Sequence, residues 1–433
     1  MRVRPNRMHL GGLRGARAVT TALLLVIAGS GFGASGTGAS TSAPGVTPTQ
    51  IDVGAISTLS GPIAADFESL VPGVSAYFDM VDAKGGINGR NLVLAHSLDD
   101  GGNPSQFNQL AHTLIDQDHV FAAVGMATAF FSPSYFVTTN TPTYGYDVTE
   151  NWAGPDNLFA AGGSVIYEPS ASEAPAYLAH KLHSTSIAVV AYGVSASSDA
   201  CASVAKGLTA RGFHVGYTDV NVSYPGSGIS SDVQRMQQAG TDLVVSCMDI
   251  TGNIAMARAI QQYGLKTHQL WFNGDDQGTL QQYPSLMKGV YFTVAHVPFD
   301  APTKYYPGLA AYLSAMRKYE PKWVHDEVAI QGWESAALFA AGVRAAGSDL
   351  TQQNVIDQTN KLTEFTAYGL TNPVNWEKSG HAGHVYPDCS AFIQVSGDKF
   401  VPVFGQGHQV FVCFNKLPKI PVPVAPPAGM PGA

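Results

Sequence analysis

The chain has 433 residues, 45% of them hydrophobic and 13% charged, with 24 Lys and Arg against 32 Asp and Glu. Its length exceeds one ordinary core and its apolar content excludes a disordered chain, so two folded domains are expected. The net charge of −8 argues against nucleic acid or an anionic membrane surface as a partner.

The first forty residues have the layout of an export signal. Arg2, Arg4, Arg7, Arg14 and Arg17 precede an apolar run over 18–28, and small residues follow through Ala43. The run is too short to span a membrane. No Cys stands near its end, so a lipid-anchored start is not expected. Removing residues 1–43 leaves 19 basic against 32 acidic residues, a net −13. An exported protein free of the membrane, periplasmic, extracellular or in the cell envelope, is the expectation.

Residues 51–104 carry the strongest fold signal. The apolar run Ile51-Asp52-Val53-Gly54-Ala55-Ile56 reads as a strand and breaks at Ser57-Thr58-Leu59-Ser60-Gly61-Pro62. A helix is predicted to about Ala83, where Gly85-Gly86-Ile87-Asn88-Gly89-Arg90 ends it. A second strand over 92–97 runs into Asp99-Asp100-Gly101-Gly102-Asn103-Pro104. Strand, loop, helix, turn and strand in that order build a parallel sheet, with small polar residues at the strand end where such sheets bind ligands.

The pattern repeats along the chain. Strands are predicted at 121–125, near Tyr144 and Tyr146, and at 158–161. After a crossing near Pro169, a buried strand over 187–192 leads to a helix over 200–211 and a strand over 212–215. Further strands at 242–247, 269–272 and 289–292 alternate with a helix over 254–263. Beyond Pro298 two helices are predicted, over 306–319 and 328–346. Asn375-Trp376 and residues 391–414 return to strand character, and from Lys416 the chain reads as an extended Pro-rich tail.

Four cysteines in an exported chain favour two disulfides. Their order suggests Cys201–Cys247 and Cys389–Cys413, one of three possible pairings. Cys247 would end a strand, Cys201 would open the helix after the neighbouring strand, and Cys389 and Cys413 would flank a hairpin.

No assembled catalytic constellation is present. Gly193-Val194-Ser195-Ala196-Ser197 misses a nucleophile elbow by its last residue, and no P-loop occurs. His381 and His384 share a Gly-rich loop with no nearby carboxylate pair, so they read as solvated residues. Neither enzyme activity, cofactor nor metal is expected.

Taken in order, Ile51-Asp52-Val53-Gly54, Leu59-Ser60-Gly61-Pro62, Gly85-Gly86-Ile87-Asn88-Gly89-Arg90, Asp99-Asp100, Asn103-Pro104, Val124-Gly125 and Asn375-Trp376 with Gly380 resemble one family. It is the type I periplasmic substrate-binding proteins of ABC importers, in the Leu/Ile/Val-binding branch, over about 47–414. The resemblance implies an α/β fold of two Rossmann-like doubly wound lobes joined by three crossings. Lobe 1 would take 48–167 plus 297–368 and lobe 2 would take 168–296 plus 369–414, with a leader at 1–43 and a tail at 415–433. It also implies a monomer that captures a small molecule, foremost an amino acid or related compound, for an ABC permease. A clamp that presents its closed state to a receptor remains open, as does an amide, aromatic or sterol-like ligand.

The resemblance also implies site residues. A ligand carboxylate would meet Ala127, Thr128 and Ala129 after the third strand, then Tyr146, Asp147 and Thr149, with Ser60 in the first loop. Two departures stand out: Ala129 takes a position favouring Ser or Thr, and Asp147 would repel a carboxylate, which suggests either an ammonium partner or a ligand without a carboxylate there. Asp66 with Phe67 replaces the Tyr that often follows Gly-Pro. Phe67, Phe130, Phe131, Tyr146 and Tyr192 could make the cleft aromatic. The second lobe offers Cys247-Met248-Asp249 and Asn273-Gly274-Asp275-Asp276. Asp276 would bind an ammonium group or, with Asp275, cap the following helix.

Overall fold

The computed structural model describes residues 43–161, 172–272, 274–323, 325–377 and 389–414. The leader, the crossing near Pro169, Asn273, the His381 and His384 loop, and the tail lie outside them. Residues Ser42–Ala433 cluster as one unit.

The elements of the first lobe follow in chain order: β1 (Gln50–Ser57), α1 (Leu70–Asp82), β2 (Asn91–Asp99), α2 (Pro104–His112), β3 (Ala122–Met126), α3 (Ser134–Thr138), β4 (Thr143–Tyr146) and β5 (Leu158–Ala161). β1 forms because its aliphatic residues are buried between helices on both faces of a parallel sheet. Asn103 caps α2, accepting from the backbone N–H of Ser105 and Gln106, with Pro104 at the first helical position.

The second lobe runs α4 (Glu173–Leu182), β6 (Ile187–Tyr192), α5 (Ser195–Ala210), β7 (Val215–Val222), α6 (Ile229–Gln238), β8 (Leu243–Ser246), α7 (Ile250–Tyr263), β9 (His268–Trp271), α8 (Gln277–Gln282), α9 (Pro284–Met287) and β10 (Tyr291–Val294). The chain then returns to the first lobe with α10 (Pro307–Tyr319), α11 (Glu327–Ala346) and α12 (Gln352–Asn360), and back to the second with β11 (Cys389–Ser396), β12 (Lys399–Val403) and β13 (Phe411–Cys413). These last two crossings lie side by side: His296 bridges Thr371, and Val297 N–H donates to Leu370 O at 2.7 Å.

The strand orders place the site. The first sheet is β2-β1-β3-β4-β5, all parallel, so strand order reverses between β1 and β3. The second is β12-β11-β10-β9-β8-β6-β7, reversing between β6 and β8, with β11 and β12 antiparallel at one edge. Open α/β sheets bind ligands outside the carboxyl ends of the strands at such reversals.

α11 is buried along most of its length, from Ala329 and Ile330 to Val343 and Ala346. Gly73 and Gly332 let it approach α1 closely: a Cβ on Gly332 would run into Leu70 O, and one on Gly73 into Ala329 O. Tyr77 meets Trp333 edge-on across this contact, ring centroids 4.9 Å apart.

Cys201 is bonded to Cys247 and Cys389 to Cys413. Two expectations about local structure need correction. Cys201 does not open a helix: α5 starts at Ser195, because Ser197 Oγ donates to Cys247 O and accepts from Tyr192 N–H, fixing the turn before it. Asn375-Trp376 is not a strand; Trp376 is instead buried edge-on against Phe159.

Candidate ligand-binding cleft

The first lobe's reversal is built by two adjacent aspartates at the end of β2. Asp99 Oδ1 accepts from the N–H of Leu59, Ser60 and Gly101, shaping the loop after β1. Burial pushes its carboxyl up, but hydrogen bonds from Ser60, Gly101 and Leu59 outweigh it and hold it below its ordinary value. Asp100 is fully buried and receives the hydroxyls of Thr58 (2.7 Å) and Thr128 (2.5 Å) and the Gly102 N–H. The Thr128 hydroxyl therefore donates within the lobe. Ala129 is half-buried, Phe67 and Phe131 are buried in the core, and Phe130 borders solvent. Ser60 is exposed on the loop, and Asp147 is buried at the end of β4. Thr149 precedes the short helical turn after it.

At the second reversal, Asp249 caps α7. Its Oδ1 accepts from Gly252 N–H at 2.8 Å and from the Tyr192 hydroxyl at 2.7 Å. Met248 is fully buried among the apolar residues of the second lobe. Asp276 caps α8 through Thr279 N–H.

The lobes touch where the reversals face each other. Tyr224 Oη donates to Pro62 O at 3.1 Å. Asp66, between β1 and α1, lies within hydrogen-bonding reach of Asp249. Burial, then the charge of Asp249, pushes the Asp66 carboxyl up to about 7. Tyr192 and Tyr224 border both carboxylates, their rings 5.4 Å apart.

Beside this pair the lobes meet again at the start of α11. The Tyr146 hydroxyl donates to Glu327 Oε1 at 3.4 Å, and the Gly274 backbone also reaches Glu327. Burial, then the charges of Asp275 and Asp326, pushes Glu327 well above its ordinary value. Asp275 and His296 are both buried and approach to 3.1 Å, without the alignment of a hydrogen bond. Burial holds the imidazole down at about 3, and burial, then the charge of Asp276, raises Asp275 far above the usual carboxylate range. Asp326 accepts from Ser69 Oγ and Ala329 N–H, yet burial still lifts it to about 7.

The residues that sequence reasoning placed in the cleft divide accordingly. Asp66, Tyr146 and Asp249 come together with Tyr192. Thr128, Met248 and Asp276 are occupied with other contacts. Tyr224, His296, Asp326 and Glu327 were missed. Tyr224 and His296 carry no sequence signal, and Asp326-Glu327 reads as the ordinary start of an amphipathic helix. Asp275, weighed only as a cap, is the buried member of its pair.

Residues 50–399 match the family described as Periplasmic binding protein. The chain belongs to that family. This periplasmic binding protein has no match among curated proteins by sequence. Its fold is similar to that of a fatty acid ABC transporter substrate-binding protein from Thermomonospora curvata: TM-score 0.71, 17% identity, covering 88% of this chain and 97% of that one. A possible leucine/isoleucine/valine-binding protein from Rhodopirellula baltica SH 1 gives 0.70 and 17%, covering 84% and 98%. An ABC transporter solute-binding protein from R. palustris in complex with benzoate gives 0.66 and 17%, also covering 84% and 98%. Among the described residues no helix is long and apolar enough to cross a membrane, and no group of three His, Cys, Asp or Glu is placed to hold a metal ion.

Proposed function

We propose that the protein is the extracytoplasmic solute-binding component of an ABC importer. It captures a small organic solute between its lobes without transforming it and presents the closed form to a permease. The observation that carries this reading is that the two strand-order reversals face each other, with Asp66 of one lobe meeting Asp249 of the other. A solute touching both lobes would stabilise their closure, and the paired crossings at 296–297 and 370–371 supply a hinge. The leader at 1–43 would direct export, and the protein would act as a monomer. The lobes would divide at 48–167 plus 297–368 and 168–296 plus 369–414. Neighbours of the same fold are named for fatty acid, benzoate and branched-chain amino acids, so fold alone does not select the solute.

The test is capture. Purified protein is stripped by denaturation and refolding, incubated with a concentrated small-molecule extract of culture medium, washed and analysed by mass spectrometry. One compound should be retained in equimolar amount and be absent from a heat-denatured control. Retention of nothing beyond the control would refute the reading.

A further inference from the structure

The interlobe surface is rich in acceptors. Asp66 and Asp249 meet there, and Glu327 borders it half-buried. Among the described residues, no Lys or Arg forms an ion pair with Asp66, Asp249, Asp275, Asp326, Glu327 or Glu334. Carboxylates alone would not make a site. A separate observation comes from α11, where residues 327, 331 and 334 share one face by their spacing. Gln331 Oε1 has no hydrogen-bond partner although Gln331 is only 2% exposed, and both Glu334 oxygens are unpartnered at 1% exposure. The Gln331 amide oxygen, one turn along α11 from Glu327, is left without a donor and would accept one from a bound solute.

The aromatic groups narrow the donor. Tyr192 and Tyr224 lie beside the Asp66–Asp249 pair, Tyr192 donating its hydroxyl to Asp249 Oδ1, with their rings 5.4 Å apart, and aromatic rings at such a site favour weakly hydrated cations over metal ions. A divalent metal ion would need three or more converging ligands, and no such group is placed among the described residues. A carboxylate-bearing solute would find the Thr128 hydroxyl already donated to Asp100, with Asp66 close by.

We propose that the solute is an organic cation. Its ammonium or amidinium group is received between Asp66 and Asp249 beside the Tyr192 and Tyr224 rings, and further N–H donors go to Glu327 and Gln331 Oε1. This rests on the solute-binding reading and names its substrate class. Because burial and the charge of Asp249 raise the Asp66 carboxyl to about 7, a bound cation would displace its proton below neutrality. The groups facing the pair are Tyr192 and Tyr224, both pushed up by burial first and then by Asp249, and Tyr146, which also senses Asp66.

Isothermal calorimetry with 1,4-diaminobutane, agmatine and choline, set against leucine and benzoate, tests this. Measurements at pH 6.5 in two buffers of different ionisation enthalpy count protons released. At least one cation should bind, release a sizeable fraction of a proton, and lose about tenfold or more in affinity in both Asp66→Asn and Asp249→Asn. Asn at 249 keeps an acceptor for Tyr192 and Gly252, so melting at pH 5 reports whether each variant folds. Tyr192→Phe gives a second variant, with the ring kept and weaker loss expected. Binding of leucine or benzoate alone would overturn the cation class and leave the solute-binding reading standing. Cation binding that both Asn variants retain would overturn the placement. Failure of all three cations would overturn the proposal, while capture from medium separately decides the clamp reading.

Discussion

Glu334 offers a quantitative check on the electrostatics of the lobe interior. It lies on α11 at 1% exposure with neither oxygen hydrogen-bonded, and burial, then the charge of Glu327, pushes its carboxyl up to about 8. An acid raised in the fold is most stable protonated, so stability is present at low pH and lost as pH climbs from the ordinary value of 4.5 through 8. Linkage gives a penalty of about 1 kcal/mol at pH 5, about 3 kcal/mol at pH 7 and about 5 kcal/mol at pH 9. Glu334→Gln keeps the volume and removes the titration. At about 2 cal/mol/K per residue over roughly 390 residues unfolding together, the extra 4 kcal/mol or so amounts to about 5 °C in melting temperature. Scanning calorimetry of both proteins at pH 5, 7 and 9 should therefore show the variant gaining about 5 °C on the wild type across that range. Asp66, Asp275, Asp326 and Glu327 are raised too, so both proteins should melt lower at pH 9 than at pH 5. Parallel curves would refute the reasoning, since they would mean that Glu334 is ionised and partnered in the fold.

Other perturbations probe the framework around the cleft. Gly332→Ala drives a methyl into Leu70 O across the α1–α11 contact and should destabilise by about 3 kcal/mol, read as a lower urea midpoint. Asp100→Ala strands the buried hydroxyls of Thr58 and Thr128 and should lose roughly 2–4 kcal/mol by the same assay. Replacing Cys201 and Cys247 together by Ala opens a loop with a sequence separation of 46 and should lose about 4 kcal/mol, whereas the Cys389 and Cys413 pair, separated by 24, should lose about 3.5 kcal/mol.

Much of the framework was legible because it is local. The β1–α1–β2 unit announces itself through an aliphatic run, a Gly-Pro loop and a Gly-rich stop, and the structure keeps all three close to their expected limits. α6 passed unnoticed because its residues are mostly polar, with only a narrow buried stripe at Ile229, Val233 and Met236. α5 begins earlier than the sequence suggests because Ser-Ala-Ser-Ser reads as a turn, and only the bonds of Ser197 to Cys247 and Tyr192 make it helical. Trp376 read as a strand residue because apolar character does not distinguish strand from any other buried position.

The cleft was less legible because its chemistry is made by distance in the chain. Asp66 and Asp249 are separated by a whole lobe, and nothing in either local sequence marks the other as its partner. Asp275 and Asp276 look alike in sequence, yet one caps α8 and its neighbour is buried against His296. Glu327 and Glu334 sit where acids are ordinary in a helix. Only the fold sets Glu327 half-buried against Tyr146 of β4 and leaves both Glu334 oxygens without a partner.

The central claim is that this periplasmic binding protein closes two lobes on one solute at facing strand-order reversals. The most direct measurement is a crystal structure of the protein with the compound it retains from medium. The account predicts that compound between Asp66 and Asp249, within hydrogen-bonding distance of side chains from both lobes. A retained compound seated elsewhere, such as the surface depression bordered by Ala257, Gly264 and Lys266, or touching one lobe alone, would contradict it.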